Sequence, residues 1–489
     1  MNKKKLDSGG IAEHKFYITT AIDYVNDTIH IGHAFQKIAA DVLARYYRVK
    51  LGEENVFFLT GTDEYGKKAQ RAAEKAGTTP ENFVKQISDS DQKEQDALNI
   101  SYNRFIRTTD PDHTKVVQEI WNRVNKAGKI YPGEYTGLYC EGCEAYYTEN
   151  ELVNGKCPIH PTGEIKKVTE TNYFFKWSDY KDFLIDHINS NKDFIYPSHR
   201  ANEMLEFAKN IQDIPISRKD FTWGVPVPED KEQVVYVWFD ALANYLTGVG
   251  FLEDEKLFTK FWPADLHILG KDNLRWHALL WPAILKAANI ELPKTILVNG
   301  FLNIDGQKIS KSIGNVIRPS NLVKKYGADT VRYYLLRYTN ITEDSDISEE
   351  KIKQAYNADL ANGLGNLVSR IAKLVENSKL KFNVKKISNE DIYSEEEIKG
   401  FSNFDLNIIL NNIWIVNFHI LDKRINQESP WLIKDTNNLR RVLQAEIDDL
   451  ISFTYKLLPF MPETANKIIN HFNKDKITAF SEPLFPRLQ

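Results

Sequence analysis

The 489-residue sequence has little cysteine, no long apolar run and almost no excess of charge of one sign. Three cysteines are too few for a disulfide framework. No run approaches the ~20 apolar residues that span a bilayer, and residues 1–5 lead into no apolar signal region. The net charge of −4 excludes a uniformly basic surface that binds any nucleic acid. We therefore expect a cytoplasmic protein that does not contact membranes.

The apolar pattern indicates an α/β sheet followed by helices. Residues 15–22 and 55–59 are typical of buried strands, and between them apolar residues recur at helical spacing until Gly52. Apolar runs at 234–238, 266–269 and 295–298 predict further strands of a buried parallel sheet, after an aromatic-rich insertion. From about Ser348 only helical periodicity remains. A parallel sheet of this kind binds ligands at the carboxyl ends of its strands.

The segment His30-Ile31-Gly32-His33 follows the first predicted strand and begins the first predicted helix. Free backbone N–H groups and the positive end of the dipole make a helix start a binding place for phosphate. Two imidazoles there can donate hydrogen bonds to a triphosphate, and Gly32 lets a ligand approach the backbone. The alternative is a pair of histidines that merely pack on their neighbours at a helix start.

A polar loop at residues 306–314 carries Lys308 and Lys311 between two glycines. Mobile ammonium groups can offset the negative charge that builds when pyrophosphate leaves an attacked α-phosphorus. The alternative, a solvated surface loop, would be the better interpretation if this segment stood alone.

Together the two motifs resemble those of class I aminoacyl-tRNA synthetases. Further segments are similar to the methionyl-tRNA synthetases within that class, and they are residues 221–226, 236–241, 270–272 and 301–303. The resemblance runs from about residue 14 to 489. It implies a Rossmann-like parallel-sheet catalytic domain, interrupted by a zinc-knuckle insertion and followed by an α-helical bundle.

We predict five segments on this basis. They are a first catalytic half (1–115), a connective insertion with the zinc knuckle (116–219), a second catalytic half (220–300), a mobile lysine loop with linker (301–347) and a helical anticodon-binding domain (348–489).

All three cysteines lie in one short stretch, with the spacing Cys140-x2-Cys143 and Cys157-x2-His160. Two such knuckles supply the four ligands of a closed tetrahedral zinc site. A closed site does no chemistry, so we assign the zinc to holding the insertion together. The alternative is three incidental buried thiols. Many members of the resembled family have cysteine where His160 stands, so this ligand is the least secure of the four.

The resemblance also implies the roles of individual residues. ATP, entering with Mg²⁺, is expected to bind to His30, Gly32, His33, Gly270, Asp272, Lys308, Ile309 and Lys311, with His30, His33, Lys308 and Lys311 as the catalytic groups. L-Methionine is expected to bind to Ile22, Tyr24, Asp63, Trp238, Tyr245, Asp272, Trp276 and His277. Apolar and aromatic walls suit a thioether, and a carboxylate suits the ammonium. Without the resemblance, these aromatic residues would be interpreted as ordinary core and Asp63 as a turn residue.

Asn366 and Arg370 are four residues apart, so on a helix they share one face and can reach base edges. Trp431 can stack on an unpaired base. The resemblance places these three residues at the anticodon of tRNA(Met). The alternative is a capping or core tryptophan and a surface arginine.

The resemblance implies ATP-dependent activation of methionine and transfer of the product to the 3′ end of tRNA. Two alternatives are a synthetase for isoleucine, valine or leucine and a tRNA-binding scaffold without catalysis. The insertion is short for an editing domain of the kind that the first alternative needs, and both histidines and both lysines are present. The chain ends soon after the helical segment, from which we expect a monomer.

Overall fold

The computed structural model describes residues 15–143, 145–147, 149–309, 314–384 and 387–488. Its internal contacts divide the chain into two compact units. Unit 1 comprises Met1–Ile29, Asn55–Lys93 and Tyr102–Asn299, and unit 2 comprises His30–Glu54, Glu94–Ser101 and Gly300–Gln489. The five segments expected from the sequence stay a prediction.

The strands are short outside the insertion. They are β1 Phe16–Thr20, β2 Asp23–Tyr24, β3 Val56–Asp63, β4 Arg104–Arg107, β5 Ile130–Cys140, β6 Ala145–Tyr147, β7 Ile165–Phe175, β8 Ile195–Tyr196, β9 Ile214–Pro215, β10 Ser217–Arg218, β11 Val234–Val235, β12 Leu266–Gly270, β13 Thr295–Asn299, β14 Leu302–Ile304, β15 Gln307–Lys308 and β16 Ser345–Ile347.

The helices dominate the second half of the chain. They are α1 Ile31–Leu51, α2 Lys67–Lys75, α3 Pro80–Ala97, α4 Pro111–Lys126, α5 Lys181–Ser190, α6 His199–Ala208, α7 Val237–Leu242, α8 Asn244–Thr247, α9 Glu255–Phe261, α10 Trp281–Ala287, α11 Pro319–Tyr326, α12 Ala328–Tyr338, α13 Glu349–Ala355, α14 Asn366–Ser378, α15 Glu395–Ser402, α16 Leu406–Asn412, α17 His419–Glu428, α18 Thr436–Leu457 and α19 Pro462–Phe472.

The main sheet of unit 1 is parallel and has the order β2-β3-β1-β12-β13-β8, with β4 beside β3. Without the two-residue strands β2 and β8, the order is β4-β3-β1-β12-β13. The chain winds outward from β1 in one direction and then from β12 in the other, which is the doubly wound Rossmann order. A ligand crevice is expected where the order reverses, at the carboxyl ends of β1 and β12. The predicted fold class is confirmed.

One predicted strand of this sheet is wrong. Residues 234–238 do not join the parallel sheet: Val234–Val235 pairs antiparallel with Ser217–Arg218, and a helix begins at Val237. A short apolar run suits a buried strand and a buried helix equally, so the pattern alone does not separate them. The strand β4 was not predicted, because Arg104–Arg107 has an arginine on either side of its two apolar residues.

The insertion forms an antiparallel sheet with the order β6-β5-β7-β9. The strands β5 and β7 pair along their whole length, from Ile130 opposite Phe175 to Cys140 opposite Ile165. The far end of this ribbon carries the segment with the other cysteines. After the ribbon, β8 returns to the edge of the parallel sheet and pairs with β13.

Unit 2 combines a three-stranded sheet, in the order β15-β14-β16, with the helical tail. The predicted helical tail is confirmed: Ser348 caps the first helix of the tail by accepting a hydrogen bond from Lys351 N. A fully buried ion pair ties α1 to α12, with Arg332 Nη2 at 2.7 Å from Asp41 Oδ2. Arg332 also donates to the carbonyl oxygens of Pro459 and Phe460. Among the described residues, no helix has both the length and the apolar character required to cross a membrane.

Candidate functional site

The two histidines of residues 30–33 cap the helix α1. His30 is the N-cap residue, and its Nδ1 accepts a hydrogen bond from Gly32 N at 3.1 Å. His33 returns the interaction, because its Nδ1 accepts from His30 N at 3.2 Å. The rings stack with centroids 3.9 Å apart. Two histidines thus form the reciprocal capping box that serine and glutamate form in other helices.

This capping fixes the tautomer of both rings. A backbone N–H only donates, so each Nδ1 presents a lone pair, and in the neutral imidazole the hydrogen lies on Nε2. An Nε2–H donor is the group that a phosphate oxygen requires. The sequence indicated the helix start, and the structure adds that the capping role and the donor role use opposite nitrogens of the same ring.

The lysine loop begins as a β-hairpin in the same unit. Strands β14 and β15 pair antiparallel around a tight turn at Asp305 and Gly306, both with positive φ. Gly306 N donates to Asp346 Oδ1 at 2.6 Å, which anchors the turn to β16. Lys308 is exposed. Lys311 lies outside the described residues.

The structure brings the histidine helix and the lysine hairpin together within unit 2. A Cβ at position 32 would lie 2.9 Å from His30 Cε1 and 3.4 Å from Ile309 Cδ1, so a larger residue than glycine would displace the ring or the isoleucine. Ile31 N donates to Ile317 O at 2.9 Å, from the segment after the loop. Ile309 therefore lies beside Gly32 and His30 at the start of α1, and Lys308 precedes Ile309 in the chain.

In unit 1, several candidates lie at or just after the carboxyl ends of parallel strands. Ile22 follows β1, Asp63 is the last residue of β3, Gly270 is the last residue of β12, and Asp272 lies in the turn after it. Tyr24 pairs with Asp63 in the parallel register of β2 and β3. This is the end of the sheet at which a doubly wound fold binds its ligand.

The aromatic candidates form one wall in unit 1. Trp238 and Trp276 stack with centroids 5.0 Å apart and planes at 20°. Trp238 also meets the edge of His277 at 6.2 Å. Trp276 and His277 belong to a π-helical turn, Trp276–Leu280, a geometry that is frequent at functional sites. The sequence did not predict this turn.

A directed hydrogen bond joins Tyr245 to His277. His277 Nδ1 lies 2.9 Å from Asn273 O, and because a carbonyl only accepts, this nitrogen carries the hydrogen. Nε2 therefore accepts from the Tyr245 hydroxyl at 2.7 Å. Burial lowers the pKa of His277 to about 4 and raises the pKa of Tyr245 above its usual value. His277 is consequently neutral at physiological pH, and the tyrosine stays protonated.

Two arginines that sequence analysis did not single out border this wall. The guanidinium of Arg275 lies 4.3 Å from the ring centroid of Trp276. Arg218, which is buried, lies 4.4 Å from the ring centroid of Tyr236. Both cations face aromatic rings closely enough for a cation–π interaction. Arg218 stands shortly before the family-like segment 221–226, and its position there was the available sequence signal.

Cys140, Cys143, Cys157 and His160 converge, with their candidate ligand atoms all within 4.8 Å of one another. Cys143 Sγ lies 3.5 Å from Cys157 Sγ and 3.2 Å from His160 Nδ1. A tetrahedral zinc ion, with bonds of about 2.3 Å to sulfur and about 2.0 Å to nitrogen, requires separations of this size. The four residues fit a closed zinc site, and His160 lies close enough to the three cysteines to be the fourth ligand.

The surroundings of this cluster support the same interpretation. The Tyr147 hydroxyl donates to Cys143 Sγ at 3.0 Å, as an outer partner of a metal-bound thiolate does. A Cβ on Gly142 would lie 2.4 Å from His160 Cγ. Glycine between the first two cysteines is therefore the residue that lets the imidazole approach.

The anticodon candidates lie on the helical part of unit 2. Asn366 is exposed at the start of α14. Arg370, one turn further, donates to Asp422 Oδ1 at 3.3 Å and to Asn426 Oδ1 at 2.7 Å. Trp431 lies in a 3₁₀ turn, and 52% of its surface is exposed. An indole exposed to that extent is available for stacking. Trp431 is therefore not a core residue, which was the alternative interpretation.

Comparisons with known proteins agree with this geometry. The family described as tRNA synthetases class I (M) matches residues 16–168 and 159–372. The chain belongs to the methionyl-tRNA synthetase family. A methionine–tRNA ligase of Rickettsia conorii is 39% identical over 491 residues, which cover 97% of this chain and 95% of that protein. A second relative in this family, from Clostridium acetobutylicum, is 42% identical over 477 residues, which cover 94% of this chain and 73% of that protein.

Solved structures of the methionyl-tRNA synthetase family share the fold. The Mycobacterium tuberculosis methionyl-tRNA synthetase in complex with methionyl-adenylate superposes with a TM-score of 0.89 at 37% identity. It covers 97% of this chain, and all of that chain is covered. The apo form of the same enzyme gives a TM-score of 0.82 at 34% identity.

Proposed function

We propose that this chain activates L-methionine with ATP to methionyl-adenylate and pyrophosphate, and then transfers the methionyl group to the 3′ end of tRNA(Met). The observation that carries the proposal is the pair of capping histidines, whose Nε2 hydrogens are fixed by the capping itself, next to the lysine hairpin of the same unit. That arrangement supplies donors for phosphate oxygens and needs no covalent enzyme intermediate.

In the first step, a carboxylate oxygen of methionine attacks the α-phosphorus of ATP, and the bond to the leaving pyrophosphate breaks. His30 and His33 hold phosphate oxygens through Nε2–H, with Gly32 allowing close approach. Lys308 and Lys311 stabilise the charge that grows on the leaving group. Mg²⁺ bound to ATP would neutralise further negative charge on the phosphate oxygens. Gly270 and Asp272 help to bind ATP.

Methionine is held by a carboxylate and an aromatic wall. Asp63 binds the ammonium, with Ile22, Tyr24 and Asp272 beside it, and Trp238, Tyr245, Trp276 and His277 line the thioether side chain. Because the reacting carboxylate belongs to methionine itself, these contacts align the nucleophile. The neutral His277 keeps the Tyr245 hydroxyl directed toward its ring, which holds the wall in one arrangement.

An amino-acid panel in ATP–pyrophosphate exchange tests the proposed function. We expect exchange with methionine and much less with isoleucine, valine or leucine. A preference for leucine or valine would contradict the proposed substrate. Tight binding of tRNA(Met) without any exchange or charging would instead support the scaffold alternative. The cytoplasmic location and the monomeric state stay predictions.

Zinc is proposed as the structural ion of the knuckle, held by Cys140, Cys143, Cys157 and His160. It joins the two ends of the loop after β5. Replacing Cys143 with Ser should abolish stoichiometric zinc, measured by elemental mass spectrometry, and lower the midpoint of thermal unfolding. Tyr147→Phe is the matched control: it keeps all four ligands and should retain zinc with affinity reduced by roughly 10- to 100-fold. Full zinc content in Cys143→Ser would contradict the assignment.

Trp431 is proposed to stack on a base of the anticodon loop, with Asn366 and Arg370 reading base edges. Stacking of this kind contributes about 1–3 kcal/mol. Trp431→Ala should therefore raise the KM for tRNA(Met) in aminoacylation roughly tenfold and leave ATP–pyrophosphate exchange unchanged. Leu432→Ala, at a neighbouring residue that is 72% exposed, serves as the control for loss of exposed apolar surface. A KM for tRNA(Met) that is the same in Trp431→Ala as in the unsubstituted protein would exclude the stacking role.

A further inference from the structure

Three buried polar side chains in unit 1 form a hydrogen-bonded chain that has no part in the proposed reaction. His113 on α4 lies between Asp240 on α7 and Thr247 on α8. His113 Nε2 is 2.9 Å from Asp240 Oδ1, and His113 Nδ1 is 2.9 Å from Thr247 Oγ1. The three side chains are between 0% and 1% exposed. Burying polar groups costs free energy, so this hydrogen-bonded set of three side chains is expected to have a role.

The positions of the hydrogens follow from the partners. The Thr247 hydroxyl donates to Ala243 O at 3.1 Å, so its oxygen accepts from His113 Nδ1–H. A second hydrogen lies between Nε2 and Asp240 Oδ1. Within the described part of the chain, Asp240 Oδ2 has no hydrogen-bond partner. Burial raises the pKa of Asp240, which favours keeping that hydrogen in place. His113 therefore supplies the hydrogen bond that satisfies Oδ1 of the buried Asp240 carboxyl group.

Other polar groups face the same chain from neighbouring elements. Arg104 Nη1, on β4, donates to the Thr247 carbonyl at 3.0 Å. Burial raises the pKa of Tyr65 to about 12, and the nearby Asp240 carboxylate adds to this rise. Arg104 thus adds to the restraint on α8, but among these groups only His113 reaches both Asp240 and Thr247.

The two short helices that His113 joins carry residues of the proposed methionine wall. Trp238 stands two residues before Asp240, and Tyr245 stands two residues before Thr247. The helices contain six and four residues, too few to hold their shape without tertiary contacts. By contrast, α4 has 16 residues and an apolar face buried in the core. His113 thus connects a long helix that is anchored in the core to two short helices that depend on tertiary contacts for their stability.

We propose that His113 is a positioning residue for methionine binding: by bridging Asp240 and Thr247 it fixes the helical turns that carry Trp238 and Tyr245. This inference rests on the proposed function. The wall contacts the side chain of methionine, which is not altered during the reaction, so the wall stabilises the ground state and the transition state alike. Loosening it should weaken methionine binding and spare the chemical step.

The experiment compares variants of His113 and Thr247. His113→Phe keeps the ring volume without either hydrogen bond, and Thr247→Val removes the hydroxyl, which is both the acceptor for His113 and the donor to Ala243 O. The dissociation constant for L-methionine is measured by calorimetry, and kcat and the two KM values by ATP–pyrophosphate exchange per titrated active site. We expect the dissociation constant and the KM for methionine to rise about fivefold or more, with kcat and the KM for ATP within about twofold. Thr247→Ser, which keeps the hydroxyl, should restore the methionine values.

Val124→Ala is the control, because it removes core volume from the same helix about 16 Å along its axis from His113. It should lower thermal stability and leave methionine binding unchanged. Unchanged methionine affinity in Thr247→Val would overturn the inference, as would Thr247→Ser and Thr247→Val behaving alike. If the unsubstituted protein neither binds methionine nor exchanges with it, the proposed function fails first, and this outcome is distinguishable from failure of the positioning role alone.

Discussion

Replacing His30 with Asn should reduce kcat/KM for ATP–pyrophosphate exchange by roughly 10²- to 10³-fold while leaving the fold intact. Asparagine is a good N-cap residue, so its Oδ1 can take over the hydrogen bond that His30 Nδ1 accepts from Gly32 N. It has no donor at the position of Nε2, so the phosphate contact is lost. The substitution therefore separates the two roles of one ring.

His30→Ala removes both roles and should additionally cost about 0.5–2 kcal/mol of stability. Asp435→Ala is the matched control for capping alone: Asp435 caps α18 by accepting from Asn438 N at 2.7 Å. That variant should lose comparable stability and keep normal exchange. Thermal unfolding and exchange kinetics on the three variants decide the matter. Normal exchange by His30→Asn would restrict His30 to a capping role.

Replacing Lys311 with Ala should slow adenylate formation by ~10²-fold or more and leave the dissociation constant of methionine unchanged. The ammonium group is needed when charge develops on the leaving pyrophosphate, and methionine carries none of that charge. The measurements are ATP–pyrophosphate exchange under saturating methionine and calorimetry with methionine alone. Lys308→Ala, in the hairpin that leads into the loop, should act in the same direction.

Lys324→Ala controls for the loss of one positive charge, since Lys324 is exposed on α11, the helix after the lysine loop. It should exchange normally. An exchange rate for Lys311→Ala equal to that of the unsubstituted protein would remove the lysine loop from the mechanism. A matching loss of methionine affinity would assign Lys311 to binding and not to the transition state.

Much of the architecture could be predicted because it depends on local apolar pattern. The helix that starts at His30 and ends at Gly52, the parallel strands around β1 and the helical tail all leave such a pattern. The four candidate zinc ligands could be found from spacing, since two ligands in each knuckle must be close in sequence. Residues 234–238 could not be assigned correctly, because a fully buried helix and a fully buried strand have the same composition there.

The features that position the site depend on contacts between residues far apart in sequence. Tyr245 and His277 share a hydrogen bond across 32 positions, and His113 reaches Asp240 across 127. No periodicity encodes either pair. The reciprocal capping by His30 and His33 was not predicted either, although the residues are close in sequence, because histidine is an unusual choice for both positions of that motif.

The π-helical turn at Trp276–Leu280 has a consequence for sequence change in this region. Such a turn holds one residue more than the α-helix around it. Deleting a single residue from the turn would let the backbone relax into continuous α-helix with its hydrogen bonds complete. The helix after the turn would keep its orientation, because a π turn takes up its extra residue within one wider turn, but the residues inside the turn would point in new directions. Trp276 would move away from Trp238, so we expect a shortened variant to stay folded and to bind methionine with lower affinity.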